Sequence, residues 1–151
     1  MSSTTAAGSK LAISAGVPTA QTVAAFKALT YTSVAGVESI GGFGASTEVV
    51  TFQPLDGPTE KYKGPTNYGQ LSPTMKVDDA DAGQALIQAA SAPTNDTLYA
   101  MRITKPDGSN RYFQGKVFGF PETIGAANTI ITAAPAIEIN TVVLKEPAPV
   151  I

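Results

Sequence analysis

The stretch GQLSPTMKV, residues Gly69 to Val77, alternates polar and apolar side chains and decides how the rest of the chain is interpreted. Such alternation predicts a β-strand with one buried face and one face in water. Pro73 has no amide hydrogen for a strand ladder, so we expect this strand to lie at a sheet edge or to carry a bulge. The expected dry face consists of Leu71, Met75 and Val77, and the expected wet face of Gln70, Ser72, Thr74 and Lys76.

One helix is predicted directly after this strand. Asp78 is suited to the N-cap, and Asp79 and Asp81 would place carboxylates near the positive end of the helix dipole. We interpret these carboxylates as capping groups rather than a metal site, since the pattern of a calcium-binding loop is absent. Pro93 stops the helix soon afterwards. The apolar stripe expected to pack on a sheet consists of Ala82, Ala85, Leu86, Ala89 and Ala90.

The remaining sequence consists of short extended runs separated by turn residues, which is typical of a sandwich or barrel. The turn signal PDGS at 106–109 predicts a hairpin between residues 98–105 and 111–120. Residues 54–67 are rich in Pro and Gly and should form a long exposed hairpin or loop. Further strands are predicted at 28–34, 48–53, 129–132 and 137–145, and in the last of these Glu138 and Asn140 face away from Ile137 and Ile139.

Length and composition limit the class of protein. With 151 residues we expect a single domain at 22–146, preceded by an arm at 1–21 that orders only against a partner and followed by a tail at 147–151. The chain has no His and no Cys, which excludes Ser-His and Cys-His dyads, imidazole or thiolate metal sites and disulfides. We therefore expect a protein that is not an enzyme and that uses no cofactor and no metal.

The charge balance argues against nucleic-acid binding and for self-association. Lys and Arg number 10 against 12 Asp and Glu, and charged residues make up only 15% of the chain, so no basic footprint is available. We recognise no secretory signal and no apolar run that would span a membrane, and we expect synthesis in the cytosol. A surface so poor in charge would expose apolar area and open sheet edges, which identical copies can cover by forming a ring or a filament.

Two other interpretations remain open at this stage. Tyr62, Tyr68 and Tyr112 would act as stacking surfaces in a monomeric β-sandwich binding module, such as an adhesin or a carbohydrate-binding domain, if they converged on one face. An enzyme that uses only Asp and Glu, as many glycosidases do, is a more remote choice.

Residues 31–90 resemble the major tail tube proteins of bacteriophages with long, non-contractile tails. The resemblance rests on YTSVAGVESIGG at 31–42, Val50-Thr51, Leu55-Asp56-Gly57, KYKG at 61–64, YGQL at 68–71 and the acidic entry into an alanine-rich helix. Asn67 stands where that family commonly has Asp, and Pro73 interrupts the following strand.

This resemblance implies two packed antiparallel sheets flanked by one helix, in a half-barrel or β-sandwich. It implies six copies in a ring, with rings stacked into a tube around a tape-measure protein and capped by tail terminator and tail tip proteins. Such a protein belongs to the virion, is assembled in the host cytoplasm, and lets the genome pass without binding it. Each contact to a DNA phosphate adds affinity through counterion release, so a neutral or acidic bore lets DNA slide.

Two sets of residues follow from this interpretation as candidates for contacts. Gln70, Ser72, Thr74 and Lys76, or alternatively Glu138 and Asn140, are expected to face the lumen. The long and bent segment from Gly41 to Tyr68 is expected to reach the adjacent ring, with candidate residues Gly41, Phe43, Asp56, Lys61, Tyr62, Lys63 and Tyr68.

Overall fold

The computed structural model describes residues 5–148, which form mainly β-structure with two helices. Within this part of the chain no helix is long and apolar enough to cross a membrane. The helices are α1 (Val23–Lys27) and α2 (Ala82–Ala90). The strands are β1 (Lys10–Ser14), β2 (Thr32–Ser33), β3 (Val37–Ser39), β4 (Ser46–Phe52), β5 (Glu60–Asn67), β6 (Gln70–Leu71), β7 (Thr74–Lys76), β8 (Tyr99–Thr104), β9 (Asn110–Gly119), β10 (Glu122–Thr123), β11 (Thr132–Ala133), β12 (Ala136–Ile139) and β13 (Leu144–Glu146).

The strands described form three antiparallel sheets. The first is seven-stranded, in the order β2-β1-β8-β9-β12-β6, and β13 also pairs with β9. The second is four-stranded, in the order β10-β11-β7-β3, and the third consists of β4 and β5 alone. The prediction of a mainly β, tail-tube-like fold with two packed antiparallel sheets and a flanking helix is confirmed. The short helix α1 and the separate β4–β5 sheet were not predicted as such.

One apolar core joins the first two sheets to α2. Leu11, Met101 and Phe113 of the first sheet, Met75 of the second and Ile87 of α2 are each at most 2% exposed. Burial of this kind is the main favourable contribution to folding. Because both sheets and the helix contribute to the same core, we expect them to unfold together.

The alternating stretch at 69–77 forms two strands rather than one. Strand β6 pairs with β12 at the edge of the first sheet, whereas β7 lies between β11 and β3 in the second. The chain crosses from one sheet to the other at Ser72 and the buried Pro73, which cannot donate to a ladder. Leu71 and Met75 on either side are both fully buried, so the predicted dry face is confirmed for these two residues.

Helix α2 begins three residues later than predicted. Its N-cap is Asp81 rather than Asp78, and the Asp81 carboxylate accepts hydrogen bonds from the backbone N–H groups of Gln84 at 3.0 Å and Ala35 at 3.1 Å. The predicted stripe of Ala82, Ala85, Leu86, Ala89 and Ala90 is confirmed for Ala90 and for Leu86, which is half-buried and packs against the core, whereas Ala82, Ala85 and Ala89 are exposed. The buried residues of α2 are Gly83, Gln84, Ile87 and Ala90.

Gln84 ties α2 to the connection between β2 and β3 and to the segment that leads from β7 into the helix. Its side chain is fully buried, and its carbonyl oxygen accepts from the backbone N–H of Asp78 at 2.9 Å. Its amide nitrogen donates to the carbonyl oxygens of Ala35 and Lys76, both at 2.8 Å. A buried amide is tolerated here because all of its hydrogen-bonding groups have partners.

The segment predicted as an N-terminal arm contains an inner strand of the first sheet. Strand β1 lies between β2 and β8, and Leu11, Ala12 and Ile13 are at most 3% exposed. The prediction of an arm is therefore wrong for residues 10–14, and it lies outside the described residues for 1–4. The strand predicted at 28–34 is reduced to β2, because the preceding residues form helix α1, which runs from the N-cap Thr22 to the C-cap Ala28. The buried side chain of Phe26 holds this helix against the sheet. Of the predicted tail, residues 149–151 also lie outside the described part.

We predict that Gly83→Ala destabilises the protein by about 1–3 kcal/mol, even though alanine favours helices. A methyl group at Gly83 would collide with the carbonyl oxygen of Ser33 in β2 and force the helix away from the sheet. The matched control is Gly42→Ala, since a methyl group there would meet nothing within 4 Å. Urea unfolding of both variants tests this, and an equal midpoint for the two would contradict it.

Candidate assembly surface

Strands β4 and β5 form a hairpin that projects from the rest of the protein. All seven residues of β4 are exposed, and so are those of β5 except the half-buried Gly64. No strand from the other two sheets pairs with this hairpin within the described residues. A two-stranded hairpin without a core beneath it is only marginally stable in water, so its length and exposure suggest that it is used for contact.

One face of the hairpin carries an apolar patch, which is bordered by Glu60 opposite Phe52. Val50 lies directly opposite Tyr62, and Phe52 follows two residues along the same face. These side chains are 46%, 55% and 60% exposed, respectively. Exposed apolar side chains that adjoin each other mark interaction sites more often than isolated ones do.

The tip of the hairpin is held in one conformation by Gln53. Its side-chain amide donates to the carbonyl oxygens of Pro54 and Gly57, both at 2.9 Å, and its side-chain oxygen accepts from the Thr59 hydroxyl. This network leaves the side chain of Leu55 completely exposed at the end of the turn. The tip is therefore ordered without any contact from the core.

The base of the hairpin is anchored in the core. The ring of Phe43 lies 6.3 Å from that of Phe113, and Tyr68 also packs against the core. Gly69, in the left-handed region at φ 94°, approaches the backbone of Gly44 so closely that a Cβ would collide with it. The two strands thus leave the core side by side.

The predicted contact residues divide into two groups according to their place on this hairpin. Phe43 and Tyr68 are half-buried at its base. The exposed members are Gly41 before it, Asp56 at its tip, and Lys61, Tyr62 and Lys63 on β5.

Two cations and the three anions Glu48, Asp56 and Glu60 belong to the hairpin, so it is not a basic patch. The Tyr62 hydroxyl donates to the Glu60 carboxylate at 2.6 Å, and this hydrogen bond raises the pKa of Tyr62.

The predicted lumen residues lie on two different sheets. Gln70 of β6 pairs with Glu138 of β12, which pairs in turn with Lys116 of β9, so the three side chains share one face of the first sheet. The Lys116 ammonium forms an ion pair with Asp96 at 2.8 Å. Asn140 follows β12 and is exposed, Ser72 is exposed at the crossing, and Thr74 and Lys76 belong to the second sheet.

The aromatic residues required by a binding module do not converge. Tyr62 projects from the hairpin and Tyr68 is half-buried at its base, whereas Tyr112 is only 1% exposed. Tyr112 packs with Phe26 and Tyr31 under α1, with ring centroids 5.9 and 6.2 Å apart. No group of three or more acidic residues placed to hold a metal ion occurs among residues 5–148.

Sequence patterns did not reveal a polar cluster that fixes the last strand. The Glu146 carboxylate accepts from the Lys27 ammonium at 2.9 Å, from the Asn110 amide at 2.7 Å and from the Tyr112 hydroxyl at 3.0 Å. The hydrogen bond from Lys27, followed by that from Asn110, lowers the pKa of Glu146, and burial raises the pKa of Tyr112 to about 12. These contacts join α1, β9 and β13.

The fold is shared with chains of contractile injection systems. No family model and no curated protein matches this sequence. A chain of the cryo-EM structure of an extracellular contractile injection system, the PVC sheath/tube terminator in the extended state, is 9% identical at a TM-score of 0.73, covering 97% of this chain and 99% of that one. A chain of the anti-feeding prophage (AFP) baseplate, 6-fold symmetrised, is 9% identical at a TM-score of 0.74, covering 99% and 100%.

A third similar chain comes from the PVC sheath-tube complex in the extended state. It is 12% identical at a TM-score of 0.62, covering 91% of this chain and 88% of that one. At such identities the similarity shows a common fold. It covers 91–99% of this chain.

We predict that the Glu146 contacts stabilise the protein near neutral pH and are lost in acid. Because folding lowers the pKa of Glu146, the stabilisation of the protein by this carboxylate is complete at pH values above the ordinary pKa of 4.5. It is lost as the pH falls through the lower pKa that Glu146 has in the folded protein. Glu146→Gln should therefore reduce the free energy of unfolding at pH 7 by about 1 kcal/mol, with a smaller difference near pH 3. Urea unfolding at both pH values measures this, with Glu122→Gln on exposed β10 as the control; a pH-independent difference would contradict it.

We also predict that the hairpin is dispensable for the fold. Because Ser46 and Asn67 are paired, a short Gly-Ser turn can replace residues 46–67. The shortened protein should unfold in one cooperative transition, with a free energy of unfolding within about 1 kcal/mol of the parent. Circular dichroism and urea unfolding provide the measurement, and loss of cooperative unfolding would show that the hairpin supports the core.

Proposed function

We propose that this protein is a structural subunit of a tail tube, in which six copies form a ring and rings stack into a tube. The observation that carries this proposal is the projecting β4–β5 hairpin, which is ordered, carries an apolar patch on one face and is unsupported by its own core. The common fold with chains from a sheath/tube terminator and a sheath-tube complex supports it.

Ring closure would use the edges of the two large sheets. The first sheet ends at β2 and β6, and the second at β10 and β3. Edge strands carry unpaired backbone groups that readily pair with another chain. When each copy pairs head-to-tail with the next, the contact closes into a ring if the rotation permits it, and closure removes the open edges.

The bore of the tube would be lined by the face that carries Gln70 and Glu138. Arg102 and Lys10 lie on the same sheet face farther along β8 and β1, but the cation next to Glu138, Lys116, is neutralised by Asp96. The row formed by Gln70, Glu138 and Lys116 therefore offers DNA no unpaired positive charge. A genome that passes through such a bore gains little affinity from counterion release and can slide. Before ejection the bore would hold a tape-measure protein, with tail terminator and tail tip proteins at the ends of the tube.

The two lines of similarity both support a structural tail component but differ in the type of tail. The sequence resemblance implies a non-contractile tail, whereas the structures with the same fold come from contractile systems. Purification of assembled tubes from the native particle distinguishes the two types of tail, because a sheath protein would copurify with the tube of a contractile tail. A tube without a sheath supports the non-contractile type.

The alternative of a monomeric binding module is disfavoured by the burial of Tyr112 and the separation of Tyr62 from Tyr68. Such a module would remain a single particle at all concentrations.

We predict that the apolar patch of the hairpin is required for rings to stack. Val50→Asp places a charge in that patch, so it should leave rings intact but shorten the tubes at least tenfold. Val142→Asp is the matched control, because Val142 is also 46% exposed but lies outside the hairpin. Negative-stain microscopy of concentrated protein measures both. Tubes of equal length would contradict the role of the hairpin, and a parent protein that forms neither rings nor tubes would overturn the proposed function.

A further inference from the structure

An apolar notch lies beside the base of the hairpin. It has a volume of about 440 Å³, which is more than enough for a leucine side chain. Its walls include Ala7 from the N-terminal segment, Val37 and Ile40 from the β3 region, Phe43 before the hairpin and Ile103 from β8. Glu38 and Lys105 also line it, so the notch combines an apolar floor with one charge of each sign.

The tip of the hairpin has the complementary form. Leu55 is completely exposed, and the hydrogen bonds of Gln53 hold the turn that presents it. A side chain presented by a turn that is already ordered loses little conformational entropy when it binds. Burial of a fully exposed leucine side chain in an apolar site is favourable, because it removes apolar surface from water.

The tip of one molecule cannot reach its own notch. Phe43, in the wall of the notch, lies three residues before β4 begins, whereas Leu55 lies three residues beyond its end. The seven residues of β4 at about 3.4 Å each separate the two features by roughly 23 Å. The notch can therefore receive Leu55 only from a second copy.

The charges next to the two features are complementary. Asp56 follows Leu55 at the tip, and Lys105 lies at the notch. Within residues 5–148 the salt bridges are those of Lys27 and Lys116, so the Lys105 ammonium forms none in the same chain and interacts with the Asp107 carboxylate only at longer range. Glu38 on the β3 side would repel Asp56 and so direct it toward Lys105.

We infer that Leu55 of one copy docks into the notch lined by Val37, Ile40, Phe43 and Ile103 of a second copy, with Asp56 paired to Lys105. The inference rests on the proposed function and identifies the receiving surface for the hairpin. The contact is head-to-tail, since each copy offers its tip to the next copy and receives a tip in its notch, and it repeats without limit.

The absence of cysteine from the chain provides a direct test. The double variant Pro58→Cys with Ser39→Cys keeps Leu55 and Asp56, and it places one thiol on an exposed tip residue and one on an exposed residue that lines the notch. Treatment of assembled protein with a short bis-maleimide should give a ladder of dimers, trimers and longer species on a denaturing gel. Each single variant should give at most traces of dimer. In the matched control, Pro58→Cys with Ala85→Cys, which is an exposed residue of α2, should give no ladder.

A charge exchange gives an independent measurement. Asp56→Lys should raise the protein concentration needed for assembly about tenfold, and adding Lys105→Asp should restore it. Tubes that assemble without the ladder and without the rescue would overturn the inference while leaving the proposed function intact. Protein that neither assembles nor forms a ladder would overturn both. A ladder from Pro58→Cys with Ser39→Cys that is no stronger than that of the Ala85→Cys control counts as no ladder.

Discussion

Pro73 cannot donate a backbone hydrogen bond, and this missing donor determines how the two large sheets are connected. The chain makes two residues of ladder in the first sheet, passes through the buried proline, and makes three in the second. Leu71 and Met75 enter the same core from the two sides. The first sheet, the second sheet and α2 are thereby bound to one another through a single apolar layer, and the hairpin needs only to be anchored at its base.

Much of the fold follows from local patterns in the sequence. The turn at 106–109 forms as predicted, with Gly108 in the left-handed region at φ 92° and the Ser109 amide bonded to Asp107. Such a turn can be predicted from the sequence because its backbone conformation and its hydrogen bonds involve only neighbouring residues.

The elements that were missed depend on distant contacts. Strand β1 is buried on both faces, so it shows no alternation between polar and apolar residues, and three successive buried residues look like any short apolar run. The cap at Asp81 was missed because its choice over Asp78 depends on Ala35, which lies 46 residues away. The candidate surface was predicted only in part: the Pro and Gly content predicted an exposed hairpin, but the pairing of Val50 with Tyr62 depends on strand register.

The distance between Leu55 and the notch has a consequence for any assembly that uses them. A chain of copies joined in this way has a direction: one end displays empty notches and the other displays unoccupied leucine tips. The two ends are chemically different, so a protein that terminates growth at one end must imitate a tip, and a protein that starts growth at the other must offer a notch. Polarity of the whole particle would then arise from a single asymmetric feature of one small subunit.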